Sequence, residues 1–101
     1  MSISIFDFAD IINKEIVIRR YPNQNHRFIA NFDESEIIEK GREGVLCGTY
    51  GNGKSSDEAI LDYCKKISGQ KIVFNAMNKE RRQEFQIPIL DHNFFGERKG
   101  K

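Results

Sequence analysis

The sequence predicts an α+β domain in which a single antiparallel β-sheet packs against helices, with the element order α-β-β-β-α-β-β. Two observations predict this class. Several short segments alternate polar and apolar residues and are rich in β-branched side chains, which is typical of strands. Two other segments repeat apolar residues at helical intervals behind a serine that can cap a helix. A chain of 101 residues has room for one core, so we expect one domain over residues 1–93 and a flexible basic tail over residues 94–101.

The first helix is predicted over residues 4–13. Ser4 and Asp7 have the spacing of a helix start, where a serine oxygen accepts from first-turn amides and an acid suits the helix dipole. The apolar residues that recur at helical intervals are Ile5, Phe6, Ala9 and Ile12. Asn13 and Lys14 are expected to end the helix.

A hairpin is predicted next, with strands over residues 15–21 and 27–32 that each alternate in polarity. A third strand is expected over residues 45–50. Between them, the acidic stretch 33–43 is compatible with two structures: a strand that includes Ile37 and Ile38, or a short loop.

The second helix begins at a serine cap, Ser55 or Ser56, and ends near Gly69. Its first turn carries Asp57 and Glu58, which suit the positive end of the helix dipole. One apolar stripe is predicted to face the core, and its members are Ala59, Ile60, Tyr63, Cys64 and Ile67.

Two final strands are predicted over residues 71–75 and 83–89. Pro88 cannot donate a ladder hydrogen bond, so it places the last strand at a sheet edge or marks its end. The two cysteines, Cys47 and Cys64, are expected to be reduced core residues, because two thiols do not make a disulfide framework.

The segment between the third strand and the second helix matches the phosphate-loop pattern Gly48-x-x-x-x-Gly53-Lys54-Ser55. Such loops occur in parallel sheets built from repeated crossovers, whereas a hairpin precedes this one. We therefore expect Gly51 and Gly53 to form a tight turn into a capped helix. Binding of a nucleotide or signalling molecule remains an alternative, with Lys54 as the residue for anion contact.

Two groups of residues have the spacing of a known family. They are Pro22, His26, Arg27 and Phe28 in the hairpin, and Gly51, Gly53, Ser55, Glu58 and Ala59 at the helix entry. Together they resemble the double-stranded-RNA-binding domain over roughly residues 4–68. The resemblance implies that the hairpin loop enters a minor groove while helix-start lysines hold phosphates. Here the positions of those lysines are Ser56, Asp57 and Ile60, so one of the two main RNA contacts is missing.

The helix entry also resembles the HicB-type antitoxin domain, through the pattern Gly-x-x-x-Ser-x-Asp-Glu-Ala-Ile that starts at Gly51. The whole chain is similar to short phage-encoded proteins, on the strength of the Tyr-Gly-Asn-Gly-Lys turn and the Val73–Ala76 strand before Arg-rich and Ile-Pro segments. This similarity implies an accessory role such as regulation or counter-defence.

Basic and aromatic residues on the first hairpin form the predicted binding site for a partner or a nucleic acid. They are Arg19, Arg20, Tyr21, Asn25, His26 and Arg27. Lys54 at the glycine turn and the pair Arg81 and Arg82 are predicted to extend this surface. The acidic residues Asp33, Glu34, Glu36 and Glu39 either face a basic partner or form a solvated loop.

Composition restricts the function further. A net charge of +1 argues against a strongly basic nucleic-acid binder. No apolar run reaches the roughly 20 residues of a membrane span, and the start of the chain lacks signal-peptide features, so a cytoplasmic location is expected. His26, His92 and the cysteines lack zinc-site spacing, and we expect no metal, no cofactor and no enzymatic activity.

The first hypothesis is therefore a non-catalytic binding protein that acts stoichiometrically on a protein or nucleoprotein partner. Its surface is expected to be the sheet face left free by the helices, with Val17, Tyr21 and Ile29, which is also available to a second copy in a homodimer. The alternative is binding of structured or double-stranded RNA or DNA through the hairpin and the glycine-rich turn.

Overall fold

The computed structural model describes residues 3–22 and 27–91, and it has an α+β fold. Its elements in chain order are α1 (Ile5–Ile12), β1 (Ile16–Tyr21), β2 (Arg27–Phe32), β3 (Ser35–Ile38), β4 (Gly51–Gly53), α2 (Ser56–Ile67), β5 (Lys71–Phe74) and β6 (Gln83–Gln86). The predicted binding residues Asn25 and His26 and the predicted tail 94–101 lie outside the described residues.

The strands form two antiparallel three-stranded sheets with orders β1-β2-β4 and β3-β5-β6, so the predicted single sheet is wrong. The chain leaves the first sheet at the turn after Phe32, where Glu34 adopts a left-handed backbone with φ 58°. This turn directs Ser35–Ile38 away from β2 and onto β5, with Ile37 opposite Ile72. The acidic stretch, which the sequence left open, therefore contains a strand of the second sheet.

The third strand of the first sheet is Gly51–Gly53, and the predicted strand over residues 45–50 is wrong. Residues 45–50 contact the second sheet through one bridge, in which Cys47 and Ile37 exchange backbone hydrogen bonds of 2.8 and 2.9 Å. The three residues after that segment pair with β2 instead, with Gly51 opposite Ala30 and Gly53 opposite Phe28. The β-branched and apolar composition of residues 45–50 therefore predicted the strand in the wrong place, directly before the residues that form it.

Both predicted helices are confirmed. In α1, the Ser4 oxygen accepts from the Asp7 amide at 3.0 Å, and Asn13 ends the helix in a left-handed conformation. One predicted inward residue is wrong: Phe6 is 38% exposed, and Phe8 packs in the core instead. In α2, the Ser55 oxygen accepts from the Glu58 amide at 3.1 Å. Every residue of its predicted apolar stripe is buried.

The last two strands are also confirmed, in slightly shorter form. β5 lies in the centre of the second sheet and β6 lies at its edge. β6 ends at Gln86, two residues before Pro88, as the missing amide of that proline predicts. Both cysteines are free; Cys64 is buried and Cys47 is half-buried.

Phe32 lies at the centre of the core and joins the two sheets. Its ring is 6.2 Å from the ring of Phe8 in α1, 6.0 Å from that of Tyr63 in α2, and 5.9 Å from that of Phe74 in β5. The Tyr63 hydroxyl accepts a hydrogen bond from the Phe32 amide at 3.1 Å. One aromatic residue of the first sheet thus contacts both helices and the second sheet, which favours a single continuous core.

Gly51 and Gly53 lie in β4, and their lack of a side chain lets α2 approach this strand closely. The prediction that they form a turn is wrong. A Cβ on Gly51 would overlap the Ala59 carbonyl oxygen and the Tyr63 amide of α2. A Cβ on Gly53 would lie 2.6 Å from the Ala59 amide nitrogen and would overlap Glu58. Both glycines are therefore required by the close approach of α2 to β4, because backbone atoms cannot move aside as a flexible side chain can.

We expect Gly51→Ala to lower the free energy of unfolding by about 3 kcal/mol or more, because α2 must move away from β4. Gly48→Ala is the matched control, since a Cβ there meets nothing within 4 Å. It should change stability by no more than about 1 kcal/mol. Urea denaturation followed by circular dichroism measures both, and equal stability of the two variants would contradict this role of Gly51.

We expect Tyr63→Phe to destabilise the fold by about 1–3 kcal/mol, because the buried Phe32 amide loses its acceptor. Tyr50→Phe removes the same hydroxyl from a residue that is 47% exposed and should have no measurable effect. The comparison uses urea denaturation at neutral pH. Unchanged stability of Tyr63→Phe would show that the hydrogen bond contributes nothing net.

Candidate binding cleft

The first sheet has one face toward the helices and one face turned away from them. Side chains alternate along a strand, so β1 and β2 place every second residue on the outer face. The register sets Val17 opposite Asn31, Arg19 opposite Ile29, Tyr21 opposite Arg27, and Ile29 opposite Asn52. We call these seven residues the open face. The sequence prediction placed Val17, Tyr21 and Ile29 on one face, and the register agrees.

A cleft of about 690 Å³ lies between this open face and the connections of the second sheet. Its floor is formed by Arg19, Tyr21, Ile29 and Asn31. Residues 33–36 form one side and residues 75–78 another, with Tyr50 at the rim. The division of the strands into two sheets thus creates the cleft, because the turn after β2 lies on one side of it and the β5–β6 connection lies on the other.

Arg19 is held in place on the floor of the cleft. Its guanidinium donates to Asn31 Oδ1 at 3.3 Å and contacts Asp33 Oδ1 at 3.5 Å. Asn31 is only 7% exposed, and its amide group donates to the Phe32 carbonyl oxygen at 3.0 Å. An arginine with two such contacts keeps less side-chain freedom, so it loses less entropy when it binds a partner.

The connection over residues 75–82, whose first four residues form one wall of the cleft, is ordered by its own hydrogen bonds. The Asn75 amide donates to the Glu34 carbonyl oxygen at 3.0 Å, which ties this wall to the opposite side of the cleft. Asn78 Oδ1 accepts from the Glu80 and Arg81 amides. Arg82 donates to the Ala76 carbonyl oxygen and pairs with Glu84 at 2.8 Å. The wall presents Met77, which is 94% exposed.

A second depression of about 510 Å³ continues from the cleft past Ile29 and Tyr50. Its basic residues are Arg27 and Lys66. Lys66 donates to the Tyr50 carbonyl oxygen at 2.9 Å and pairs with Asp62 at 2.9 Å. The α2 residue Lys66 therefore anchors the backbone of Tyr50 at the boundary between the two depressions.

The structure brings together three of the predicted site residues, Arg19, Tyr21 and Arg27, on the open face. It places the other described site residues elsewhere. Arg20 lies on the opposite face, in register with Phe28, and Lys54 lies at the start of α2. Arg81 and Arg82 lie in the β5–β6 connection beyond the cleft-lining residues 75–78, where the Arg81 amide and the Arg82 side chain make hydrogen bonds to Asn78 and Ala76.

Tyr50, Met77 and Asn31 line the cleft, and sequence reasoning missed them. The sequence predicts Tyr50 as the last residue of a strand and Met77 as part of a connection. An exposed methionine or tyrosine gives no periodic signal. Only the meeting of the two sheets shows that these residues surround one space.

The phosphate-loop pattern does not form an anion cradle, because the chain's own acceptors occupy its amides. The Asn52 amide donates to Asp62 Oδ2 at 2.8 Å, and the Lys54 amide donates to Glu58 Oε1 at 2.9 Å. The two carboxylates would repel a phosphate at this point. The geometry of this segment therefore does not favour nucleotide binding.

In residues 3–22 and 27–91, no three His, Cys, Asp or Glu side chains are grouped so that they could hold a metal ion. Across the same residues, no helix has the length and apolar character needed to cross a membrane.

The Cys64 thiol is held in its protonated form. Burial, followed by the nearby Asp91 carboxylate, raises its pKa to about 11. Since the thiolate is the reactive species, this cysteine is a poor nucleophile at neutral pH.

Comparisons with known proteins found no match among protein-family models, curated proteins or solved structures. Function is therefore inferred from the geometry and chemistry of the cleft.

Asp62 gives the helix entry a pH dependence. Partial burial acts to raise its pKa, but the hydrogen bonds from the Asn52 amide and Lys66, with the charges of Lys66 and Lys65, hold the pKa below the ordinary value of 3.8. As the pH falls, the Asp62 carboxylate is protonated at a higher pH in the unfolded chain than in the folded chain. Asp62 therefore stabilises the fold above about pH 4, and this contribution is lost as the pH falls through the lower folded pKa.

We expect Asp62→Asn to lower stability at neutral pH and to make the loss of stability below about pH 4 shallower than in the wild type. Lys66→Met should reduce the same acid slope, because it removes both the hydrogen bond and the charge by which Lys66 lowers the pKa of Asp62. Urea denaturation over a pH series measures the slopes. Parallel slopes in the wild type and Asp62→Asn would contradict the assignment.

Proposed function

We propose that this protein is a non-catalytic binding protein that holds a segment of a partner protein in the cleft and acts stoichiometrically. The observation that carries the proposal is the combination of side chains around one space: Arg19, Tyr21 and Tyr50 on one side and Met77 on the other. Tyrosine, methionine and arginine are the residue types enriched at protein–protein interfaces.

The exposure of these residues supports the proposal. Tyr21 is 39% exposed, Tyr50 is 47% exposed and Met77 is 94% exposed. Each side chain therefore has apolar surface that a partner can bury. The backbone near two of them is hydrogen-bonded: the Tyr50 carbonyl oxygen accepts from Lys66, and the Asn78 amide next to Met77 donates to the Asn75 carbonyl oxygen. A rigid floor with a few exposed anchors is the arrangement in which a small number of residues supply most of the binding energy.

The charges around the cleft favour a protein partner over a nucleic acid. Three acidic residues line it, Asp33, Glu34 and Glu36, and Asp33 already pairs with Arg19. A polyphosphate backbone would be repelled by these carboxylates. A peptide segment that carries Lys or Arg beside apolar residues would match the same surface.

The family resemblances of the sequence also support the proposal. If β3 is left out, the elements follow the order α1-β1-β2-β4-α2 along the chain. This order supports a double-stranded-RNA-binding-domain-like or HicB-like arrangement to which the second sheet is added. The similarity to short phage-encoded proteins supports a regulatory or counter-defence role in the cytoplasm of a host cell. In that setting the partner is a host or phage protein.

Binding of structured RNA or DNA is the second candidate, and one observation favours it. Arg27, Lys66 and Tyr50 line the second depression, and Arg19 and Tyr21 line the adjoining cleft. Basic side chains around an aromatic ring are a common feature of nucleic-acid sites. Gel shifts at two salt concentrations test this candidate, because phosphate contacts weaken as salt increases.

We expect Met77→Glu and Tyr50→Ala to weaken partner binding at least about tenfold, because each removes an anchor of the cleft. Ile11→Glu is the matched control for Met77→Glu: Ile11 is also an exposed apolar residue, at 71%, but it lies on α1 outside the cleft. A partner captured from host-cell lysate with the wild type would be purified and titrated calorimetrically against all three variants.

A one-to-one complex that is weakened by the cleft variants and retained by Ile11→Glu would support the proposal. Equal binding by Met77→Glu and Ile11→Glu would contradict it. A salt-dependent gel shift that is lost in Arg27→Ala, without any protein partner, would favour the nucleic-acid candidate instead.

A further inference from the structure

The strand β1 lies at the edge of the first sheet. The sheet order is β1-β2-β4, and among residues 3–22 and 27–91 no strand pairs with the outer side of β1. Its six residues are Ile16–Tyr21, and the last four are exposed. Such an edge offers unpaired backbone groups to another strand, which native proteins commonly cover or charge.

An apolar groove of about 350 Å³ runs beside this edge on the helix side of the sheet. Phe6 and Ile18 line it and are 38% and 40% exposed, and Ile16 lies next to them. Two acids, Asp10 and Glu15, lie at the same groove. Lys14, the basic residue there, has its ammonium 4.8 Å from the centre of the Phe74 ring, so its charge is directed toward that ring.

We propose that a second copy of this chain pairs with β1 in antiparallel orientation, with Ile18 opposite Ile18 of the second copy, to form a homodimer with a continuous six-stranded sheet. Opposed residues in neighbouring strands share a face of the sheet. A twofold axis perpendicular to the sheet must therefore pass between two copies of the same residue. This condition limits the register to a few choices.

Charge selects among those choices. A pairing centred on Arg19 would set two guanidinium groups directly against each other, which is destabilising. A pairing centred on Val17 would overlap only the first three residues of the strand. The pairing centred on Ile18 overlaps five residues and sets Arg20 of each copy opposite Ile16 of the other.

In this register the two ends of the paired β1 strands bring opposite charges together. Asp10 and Glu15 lie in the groove beside Ile16, so each Arg20 of one copy approaches two acids of the other. Phe6 and Ile18 of both copies meet near the axis and bury their exposed surfaces. The interface is thus apolar at its centre and charged at its rim, which is the usual anatomy of a specific contact.

The homodimer would also bring the two clefts onto one face of the joined sheet. Arg19 and Tyr21 lie on the open face, opposite the groove, and the twofold axis keeps that face common to both copies. The dimer does not depend on the cleft being a binding site, because the two surfaces lie on opposite faces of β1.

Sedimentation velocity over micromolar to near-millimolar concentrations tests the dimer. The wild type is expected to shift from monomer to dimer as concentration rises. Ile18→Lys should remain monomeric over the whole range, and Ile11→Lys, at an exposed α1 residue that does not line the groove, should behave as the wild type. Circular dichroism establishes that each variant is folded.

Charge reversal and cross-linking test the register. Arg20→Glu should weaken the dimer, and Glu15→Arg added to it should restore dimerisation. Ile18→Cys should form an intermolecular disulfide readily, because Cα atoms opposed in antiparallel strands lie about 4.5–5.5 Å apart, within disulfide range. Arg19→Cys is the control, since it faces Val17 of the second copy.

A wild type that stays monomeric at the highest concentration would overturn the proposal. A dimer that persists unchanged in both Ile18→Lys and Arg20→Glu would overturn the assignment to this edge. Equal cross-linking by Ile18→Cys and Arg19→Cys would overturn the register.

Discussion

The close approach of α2 to β4 is the constraint on which the rest of the structure depends. Gly51 and Gly53 have no Cβ, so the helix backbone lies directly on the strand. This position carries Tyr63 to the Phe32 amide and Lys66 to the Tyr50 carbonyl oxygen. The first contact fixes the centre of the core, and the second fixes the rim of the cleft. Two glycines thus determine both how the domain packs and where its candidate site lies.

The cleft exists because the strands divide into two sheets around Phe32. The turn at Glu34 sends the chain from the first sheet to the second, and the Asn75 amide returns a hydrogen bond to the Glu34 carbonyl oxygen. Glu34 and Asn75 both adopt left-handed backbone conformations, which are uncommon for residues other than glycine. The two sheets share one core but leave a space on the side away from the helices. Arg19 and Asp33 face each other across the edge of that space.

The first sheet presents different chemistry on its two sides. The open face combines the hydrogen-bonded Arg19 with the exposed Tyr21, and the proposed capture of a protein segment rests on these side chains. The opposite side of its edge strand is apolar at Ile18 and is flanked by opposite charges, which suits pairing with a copy of itself. β1 alternates between these two surfaces because successive side chains point to opposite faces. A single six-residue strand can therefore contribute to a cleft and to an interface at once.

The sequence by itself determined the helices, the hairpin and the last two strands, because serine caps, apolar periodicity and alternation are local signals. It also placed Val17, Tyr21 and Ile29 on one face of the sheet, because side chains alternate along a strand. It did not determine the number of sheets, and it assigned Gly51 and Gly53 to a turn. Those features depend on which distant backbones approach each other. Only the tertiary structure decided that Tyr50 and Met77 surround one cleft, because contact between residues far apart in the chain leaves no local pattern.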